Sequence, residues 1–138
     1  GTSWTGVEAL RGSARQRELG AVLREWGIPT AASIAYARRA GLRVIASGGV
    51  RSAVDVVRGL ALGAEVASLA LPFLRAWSER GAAGVMEAGD RLAQGVRAVM
   101  LLCGARRVGD LARVPRILGP ELRRWLELGD APLPDIPS

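Results

Sequence analysis

The sequence has no histidine and no lysine, a single cysteine and few aromatic residues. Without histidine the chain lacks the commonest acid–base group and the commonest metal ligand, so any chemistry must rest on other side chains or on a cofactor. With Cys103 as the sole cysteine no intrachain disulfide can form, and a reducing cytoplasm is the expected compartment. Cys103 lies in an apolar run and is expected in a core. No apolar stretch is long enough to cross a bilayer, so no membrane partner is expected. Gly1-Thr2-Ser3-Trp4 offers neither an initiator methionine nor a targeting signal and reads as a cut from something longer.

All 19 basic residues are arginine and exceed the 13 acids by six. Such an excess can mark a nucleic-acid surface. Here the arginines run along the whole length and the four tryptophans are not interleaved with them, so coding bias accounts for them and no nucleic-acid partner is expected.

Ser13 suits the cap of a helix whose Leu19, Val22, Leu23 and Trp26 fall at the spacing of a stripe lying on a core, with Gly27 as its stop. Thr30 suits the cap of a second helix that closes at Gly41. Arg43 to Ser47 is a short apolar run bounded by glycines, the pattern of a strand buried on both faces. Ser52 and Asp55 make a capping box for a helix ending at Gly63, and Val66 to Ala70 reads as a second strand. Strand, helix and strand within about 30 residues form a βαβ unit with parallel strands. The class is therefore α/β, in a pattern shared by barrels and open doubly wound sheets. From residue 79 onward the periodicity is helical only: Val85, Leu92, Val96, Val99 and Cys103 mark a long segment, and Gly119-Pro120 opens a shorter one with Leu122, Trp125 and Leu126. Residues 129–138 hold three prolines and are expected to form a mobile tail after one domain spanning 1–128.

The segment most able to carry chemistry is Ser47-Gly48-Gly49-Val50-Arg51-Ser52, at a strand end leading into a helix. Its glycines let the backbone approach an anion closely, and N–H groups at a helix start favour a phosphate; the same residues also suit a plain strand-to-helix turn. The second strand ends in Ala70-Leu71-Pro72-Phe73, which would bring Ala70 and Leu71 N–H groups beside the first loop, with Phe73 and Leu74 packing inward. No acidic pair has the spacing of glycosidase-type acid–base work, and no cluster suits a metal.

Ala46-Ser47-Gly48-Gly49-Val50-Arg51, then Asp55, then Ala61-Leu62-Gly63-Ala64, resembles the phosphate segment of flavin-mononucleotide (FMN) barrels. Gly1-Thr2-Ser3-Trp4 with Val7-Glu8, and Trp26-Gly27-Ile28-Pro29-Thr30, are similar to the type 2 isopentenyl-diphosphate isomerase family, as are Arg97-Ala98-Val99-Met100 and Leu122-Arg123-Arg124-Trp125-Leu126. Hydroxy-acid oxidases would instead be expected to show a His-Gly-Gly-Arg-type motif, for which no histidine exists here.

The resemblance implies the C-terminal part of a TIM (β/α)₈ barrel that binds FMN, followed by extra C-terminal helices; a whole barrel needs about 250 residues. It implies conversion of isopentenyl diphosphate to dimethylallyl diphosphate with reduced FMN, a reductant such as NADPH, and Mg²⁺ whose ligands lie outside this chain. Thr2, Gly48, Gly49, Arg51, Ala70 and Leu71 would hold the flavin phosphate, and Trp4 would face the isoprenoid pocket. No catalytic residue and no metal ligand is assigned in this segment, and the complete protein is expected to be a cytoplasmic homo-oligomer. Other readings are an FMN-dependent oxidoreductase with the same phosphate loops and an incomplete, non-catalytic half-barrel. Ala53 stands where family members often have Gly, and Leu71 occupies a variable position before Pro72.

A piece of a barrel exposes apolar strand edges that its missing strands would cover. The isolated 138-residue chain is accordingly expected to self-associate or aggregate; a monomer in sedimentation with a sharp, reversible thermal transition would contradict this.

Overall fold

The structure, a computed structural model, describes residues 4–130. Its elements run α1 (Trp4–Arg11), α2 (Ala14–Val22), α3 (Thr30–Arg39), β1 (Ile45–Ala46), α4 (Ala53–Ala61), β2 (Val66–Ala67), α5 (Leu71–Leu102), a 3₁₀ turn (Val108–Arg113) and α6 (Pro120–Asp130). It is a helix-rich α/β chain with little sheet.

β1 and β2 pair in parallel, Ile45 opposite Val66 and Ala46 opposite Ala67, with α4 as the crossover. Both ladders are shorter than the expected Arg43–Ser47 and Val66–Ala70, because hydrogen bonding between the strands reaches only from Val44, which accepts from Glu65 N–H, to Ala46, which accepts from Ser68 N–H. The prediction of burial on both faces fails on one of them. Ala46 is buried, whereas Ile45 and its partner Val66 are 66% and 52% exposed on the opposite face.

Burial concentrates around α4. One face of α4 meets β1 and α3: a Cβ added at Gly59 would stand 3.0 Å from the Ala46 Cβ and 3.9 Å from Ile34 Cδ1, so hydrogen at this position is what lets helix and strand touch. Ile34, Ala46 and Ala64 form a small core here. Val50, Val56, Val57 and Leu60 join Ala105 and Leu111 in the larger one, against which Leu92, Val96, Val99 and Met100 of α5 pack. Leu111, 1% exposed, closes its end from the 3₁₀ turn. Ala53 faces Gly95 of α5, where a Cβ would come within 2.7 Å of the Ala53 Cβ. The methyl group that α4 carries is matched by one that α5 lacks.

α5 is one element only by hydrogen bonding. Gly81 stands at φ 58°, ψ −146°, a left-handed conformation that side chains disfavour, and the chain doubles back there. A Cβ added at Gly89 would touch the ring of Phe73 at 4.0 Å, although a continuous helix would separate the two residues by about 24 Å. The helical region therefore starts at Leu71 rather than at 79, as a short arm (71–80) folded onto a long limb (82–102). Phe73 is half-buried by this folding, as expected, but Leu74 is exposed.

Other expectations are corrected by the packing. Ser13 caps α2 through a full capping box with Gln16, yet the stripe expected to follow it does not lie on a core: the helix stops at Val22, and Leu19, Val22 and Trp26 are exposed. The buried residue of α2 is Gly20, which fits against the Thr5 carbonyl of α1. Cys103 is exposed: it stands at the C-cap just after the limb of α5 ends at Leu102, and the chain re-enters the core only at Ala105. α6 opens at Pro120 as expected and is tied to α3, the Tyr36 hydroxyl donating to the Trp125 carbonyl and Arg39 Nη1 to the Leu126 carbonyl at 3.2 Å. It continues to Asp130, so the first two residues of the expected tail are helical; 131–138 lie outside the described residues. Among the described residues no helix is long and apolar enough to span a membrane.

Because Gly59 is the contact between helix and sheet, Gly59→Leu should force α4 off β1. We expect a loss of about 1–3 kcal/mol, the usual scale of overpacking, read from the urea midpoint of the protein.

Candidate functional site

Parallel pairing brings two strand ends to the same edge. Continuing the register by one residue sets Ser47 beside Ser68, each following an alanine at the end of its strand. From there the chain forms two neighbouring loops that line one cavity of about 540 Å³. Of the residues expected at the phosphate, Gly48, Gly49, Arg51, Ala70 and Leu71 all line it. Thr2 lies outside the described residues. Trp4 opens α1, which supplies the opposite wall through Gly6, Val7 and Leu10, but the Trp4 side chain is not among the described ones.

Gly48 and Gly49 have φ of 95° and 80°, consecutive left-handed residues that glycine alone adopts without strain. This conformation turns the backbone sharply between β1 and α4. The loop is anchored from outside by Thr30, whose hydroxyl donates to the Gly48 carbonyl at 2.7 Å. Thr30 does not cap α3 as expected; the cap position belongs to Pro29, and the hydroxyl is used on the glycine loop instead. Eighteen residues of sequence separate the partners, so local pattern could not reveal the bond.

The start of α4 differs from the expected phosphate-facing helix terminus. Asp55 Oδ2 accepts from the N–H groups of Arg51 at 3.2 Å and Ser52 at 3.1 Å and from the Ser52 hydroxyl at 2.8 Å, while Asp55 N–H donates back to Ser52 Oγ at 3.2 Å. Those helix-start donors are thus occupied by the protein's own carboxylate. The hydrogen bond from the Ser52 hydroxyl is the main influence holding the Asp55 carboxyl below its ordinary range; backbone N–H groups and Arg58 act in the same direction, and partial burial opposes them. What remains for a ligand lies upstream: among the described residues the Gly48 and Gly49 N–H groups donate to no protein acceptor.

The second loop contributes in a complementary way. Ala70 is the residue before α5 and has no side-chain cap, and Pro72 has no N–H to offer. Ala70 and Leu71 N–H groups donate to no acceptor among the described residues, and they sit at the positive end of the arm's dipole. Among the described residues lining the cavity Arg51 is the one charged group, and no carboxylate is among them. Free N–H groups, one guanidinium and apolar walls from Val7, Leu10 and Leu71 suit a ligand with an anionic end and an apolar body. Ser68, Val7 and Leu10 are cavity residues that the sequence reading misses; the repeated Ala-Ser at the two strand ends is the available signal for Ser68. No group of residues among the described ones could hold a metal ion.

Residues 27–116, more than half of the chain, match the family described as FMN-dependent dehydrogenase, and the chain belongs to that family. Within it, the chain is similar to proteins named isopentenyl-diphosphate delta-isomerase. It is 44% identical to that of Methanothrix thermoacetophila over 131 residues, 42% to that of Pyrobaculum islandicum over 133, and 40% to that of Halobacterium salinarum over 131. Each alignment covers 92% of this chain and 36% of the relative. The chain thus spans about a third of the length of the curated relatives it matches.

The carboxyl of Asp55 is held below its ordinary pKa in the folded protein, so its ionised form stabilises the fold at pH above the unfolded carboxylate range, near 4, and that contribution is lost as pH falls through the lowered folded value. Asp55→Ala should cost about 1 kcal/mol at neutral pH, the scale of a lost cap. In urea titrations at decreasing pH, the gap between wild type and variant should narrow on the acid side of about pH 4 and stay constant above about pH 6.

Proposed function

We propose that this segment grips the phosphate of FMN in a longer protein that isomerises isopentenyl diphosphate to dimethylallyl diphosphate. The observation that carries the reading is the cavity where two parallel strand-end loops present unengaged N–H groups and Arg51, with no carboxylate among the lining residues. The donor set fits a phosphate monoester, and the similarity to named isomerases over 92% of the chain supports the substrate. Gly48, Gly49, Ala70 and Leu71 would bind the phosphate oxygens through their N–H groups, Arg51 would balance charge, and Thr2 would add a hydroxyl. Trp4 would line the isoprenoid pocket.

Reduced flavin, when bound, supplies the proton transfer that moves the double bond. The chain's own residues orient it: Thr30 fixes the glycine loop through the Gly48 carbonyl, and the apolar wall of Val7 and Leu10 limits water. NADPH as reductant, Mg²⁺ on the substrate diphosphate, a cytoplasmic setting and a homo-oligomer complete the proposal, with the Mg²⁺ ligands in the part of the protein outside this chain.

The architecture proposed for the whole is a (β/α)₈ barrel with this segment as its C-terminal part. Both α3 and α4 lie on the Ala46 face of the sheet, through Ile34 and Gly59, and the Ile45–Val66 face carries no helix among the described residues. Helices on one face only is the arrangement of a barrel wall; an open doubly wound sheet has them on both. The family's description favours one second reading, a flavin-dependent dehydrogenase that uses the same loops for hydride transfer.

The test is the full-length protein, assayed with isopentenyl diphosphate, FMN and NADPH under anaerobic conditions, with the product double bond located by NMR. Dimethylallyl diphosphate formed with catalytic NADPH supports the isomerase; stoichiometric NADPH consumption or oxidation of a hydroxy acid without isomerisation supports the dehydrogenase. Gly48→Asp, which puts bulk and negative charge beside the phosphate, should abolish FMN retention on gel filtration. Unchanged flavin content would remove Gly48 from the site.

A further inference from the structure

The two N–H groups of the second loop belong to the tip of the arm 71–80, and the arm joins the rest of α5 only through the reversal at Gly81. Its position relative to the glycine loop therefore depends on what holds the arm against the limb. Two features do so. Gly84 is buried against the arm, with no room for a Cβ beside the Ala76 carbonyl and the Arg80 Cβ, which fixes the separation of the two helices. Glu87 of the limb makes an ion pair with Arg80 at the arm's end and a second with Arg91 of its own helix at 2.6 Å. Arg91 lies one turn beyond Glu87 and holds the carboxylate in place; Arg80 crosses the reversal.

We infer that Glu87 is a positioning residue for the phosphate site: by pairing with Arg80 across the Gly81 reversal it sets where the arm's first N–H groups, Ala70 and Leu71, stand opposite Gly48 and Gly49. It is not among the residues that line the cavity of the glycine loop. It lines instead the neighbouring cavity of about 480 Å³ in the crook between arm, limb and the start of α4, where Arg51 forms part of the shared wall. Glu87 has a cation from each helix, and Arg75 and Glu79 of the arm line the same cavity. Glu87 is the carboxylate that pairs with both Arg80 and Arg91, so its loss removes the ion pair that joins arm to limb.

The inference rests on the FMN-phosphate reading for its ligand and on the helical reversal for its mechanics, and the two can be tested apart. In the full-length protein, Glu87→Gln should speed amide hydrogen exchange in 71–80 several-fold while leaving 53–61 and 92–102 unchanged, whether or not flavin is present. By fluorescence titration the same variant should bind FMN about three- to five-fold more weakly, the scale set by partly exposed ion pairs, and should bind riboflavin, which has no phosphate, as wild type does. The charge exchange Arg80→Glu with Glu87→Arg would set two guanidinium groups one helical turn apart on the limb, so it is combined with Arg91→Glu; that triple variant should recover both readouts. Unaltered exchange in 71–80 after Glu87→Gln, or equal weakening of FMN and riboflavin, would overturn the positioning role. If wild type binds no FMN at all, the phosphate reading fails, and the exchange experiment alone still decides whether Glu87 holds the arm.

Discussion

Gly59 rides on Ala46, and most of the molecule is arranged by that contact. A helix normally keeps about 10 Å from a sheet because side chains fill the interval. Here hydrogen faces a methyl group, so α4 comes close enough for Ile34 and Ala64 to complete a small core on one side while Val56, Val57 and Leu60 turn to the other. The limb of α5 follows the same rule, with Gly95 facing Ala53. Small residues at both faces of α4 fix its height above the sheet. That height in turn fixes where the chain must turn between Ala46 and Ala53, which is the glycine loop.

Within this loop, some hydrogen-bond donors are taken by the protein itself and others are left unengaged. Asp55 takes the N–H groups of Arg51 and Ser52, so these two donors are satisfied within the protein. Gly48 and Gly49 sit before that boundary, both in the left-handed conformation. An external phosphate need not compete with Asp55, because the two negative groups use different amides. The second loop has the opposite solution: with no side-chain cap at Ala70 and a proline at 72, nothing in the arm's own sequence occupies its first N–H groups. One loop is closed by its own carboxylate and the other is left open, and the cavity lies where the open donors of both meet.

What local pattern encodes was legible in the sequence. The Ser13 cap, the capping box of Ser52, the parallel βαβ unit and the meeting of residues 47–51 with 70–71 each follow from residues a few positions apart or from a topological rule. What depends on tertiary contact was not. The Thr30 hydroxyl had two possible uses, a cap or a distant carbonyl, and only the folded chain decides between them. The reversal at Gly81 was hidden because apolar residues continue at helical spacing on both sides of it; a glycine in such a run is as consistent with a close helix contact as with a break. The apolar neighbours of Cys103 pointed to a core, but those same neighbours, Leu101 and Leu102, are themselves exposed.

The remaining discrepancies share a physical form. Leu19, Val22, Trp26, Ile45 and Val66 carry the patterns of buried positions and are exposed in this segment. Hydrophobic periodicity records the environment of a residue in the whole fold that selected it, and this chain spans about a third of its curated relatives. Ile45 and Val66 make the case most directly: they are register partners on the sheet face opposite α3 and α4, and two apolar side chains stand together there, exposed among the described residues. Alternation within a two-residue strand would satisfy a sheet with one wet face by placing a polar residue at each of these positions. Isoleucine and valine there, with alanine on the helix-covered face, suit a strand apolar on both faces, whose smaller side chains admit a helix on one of them.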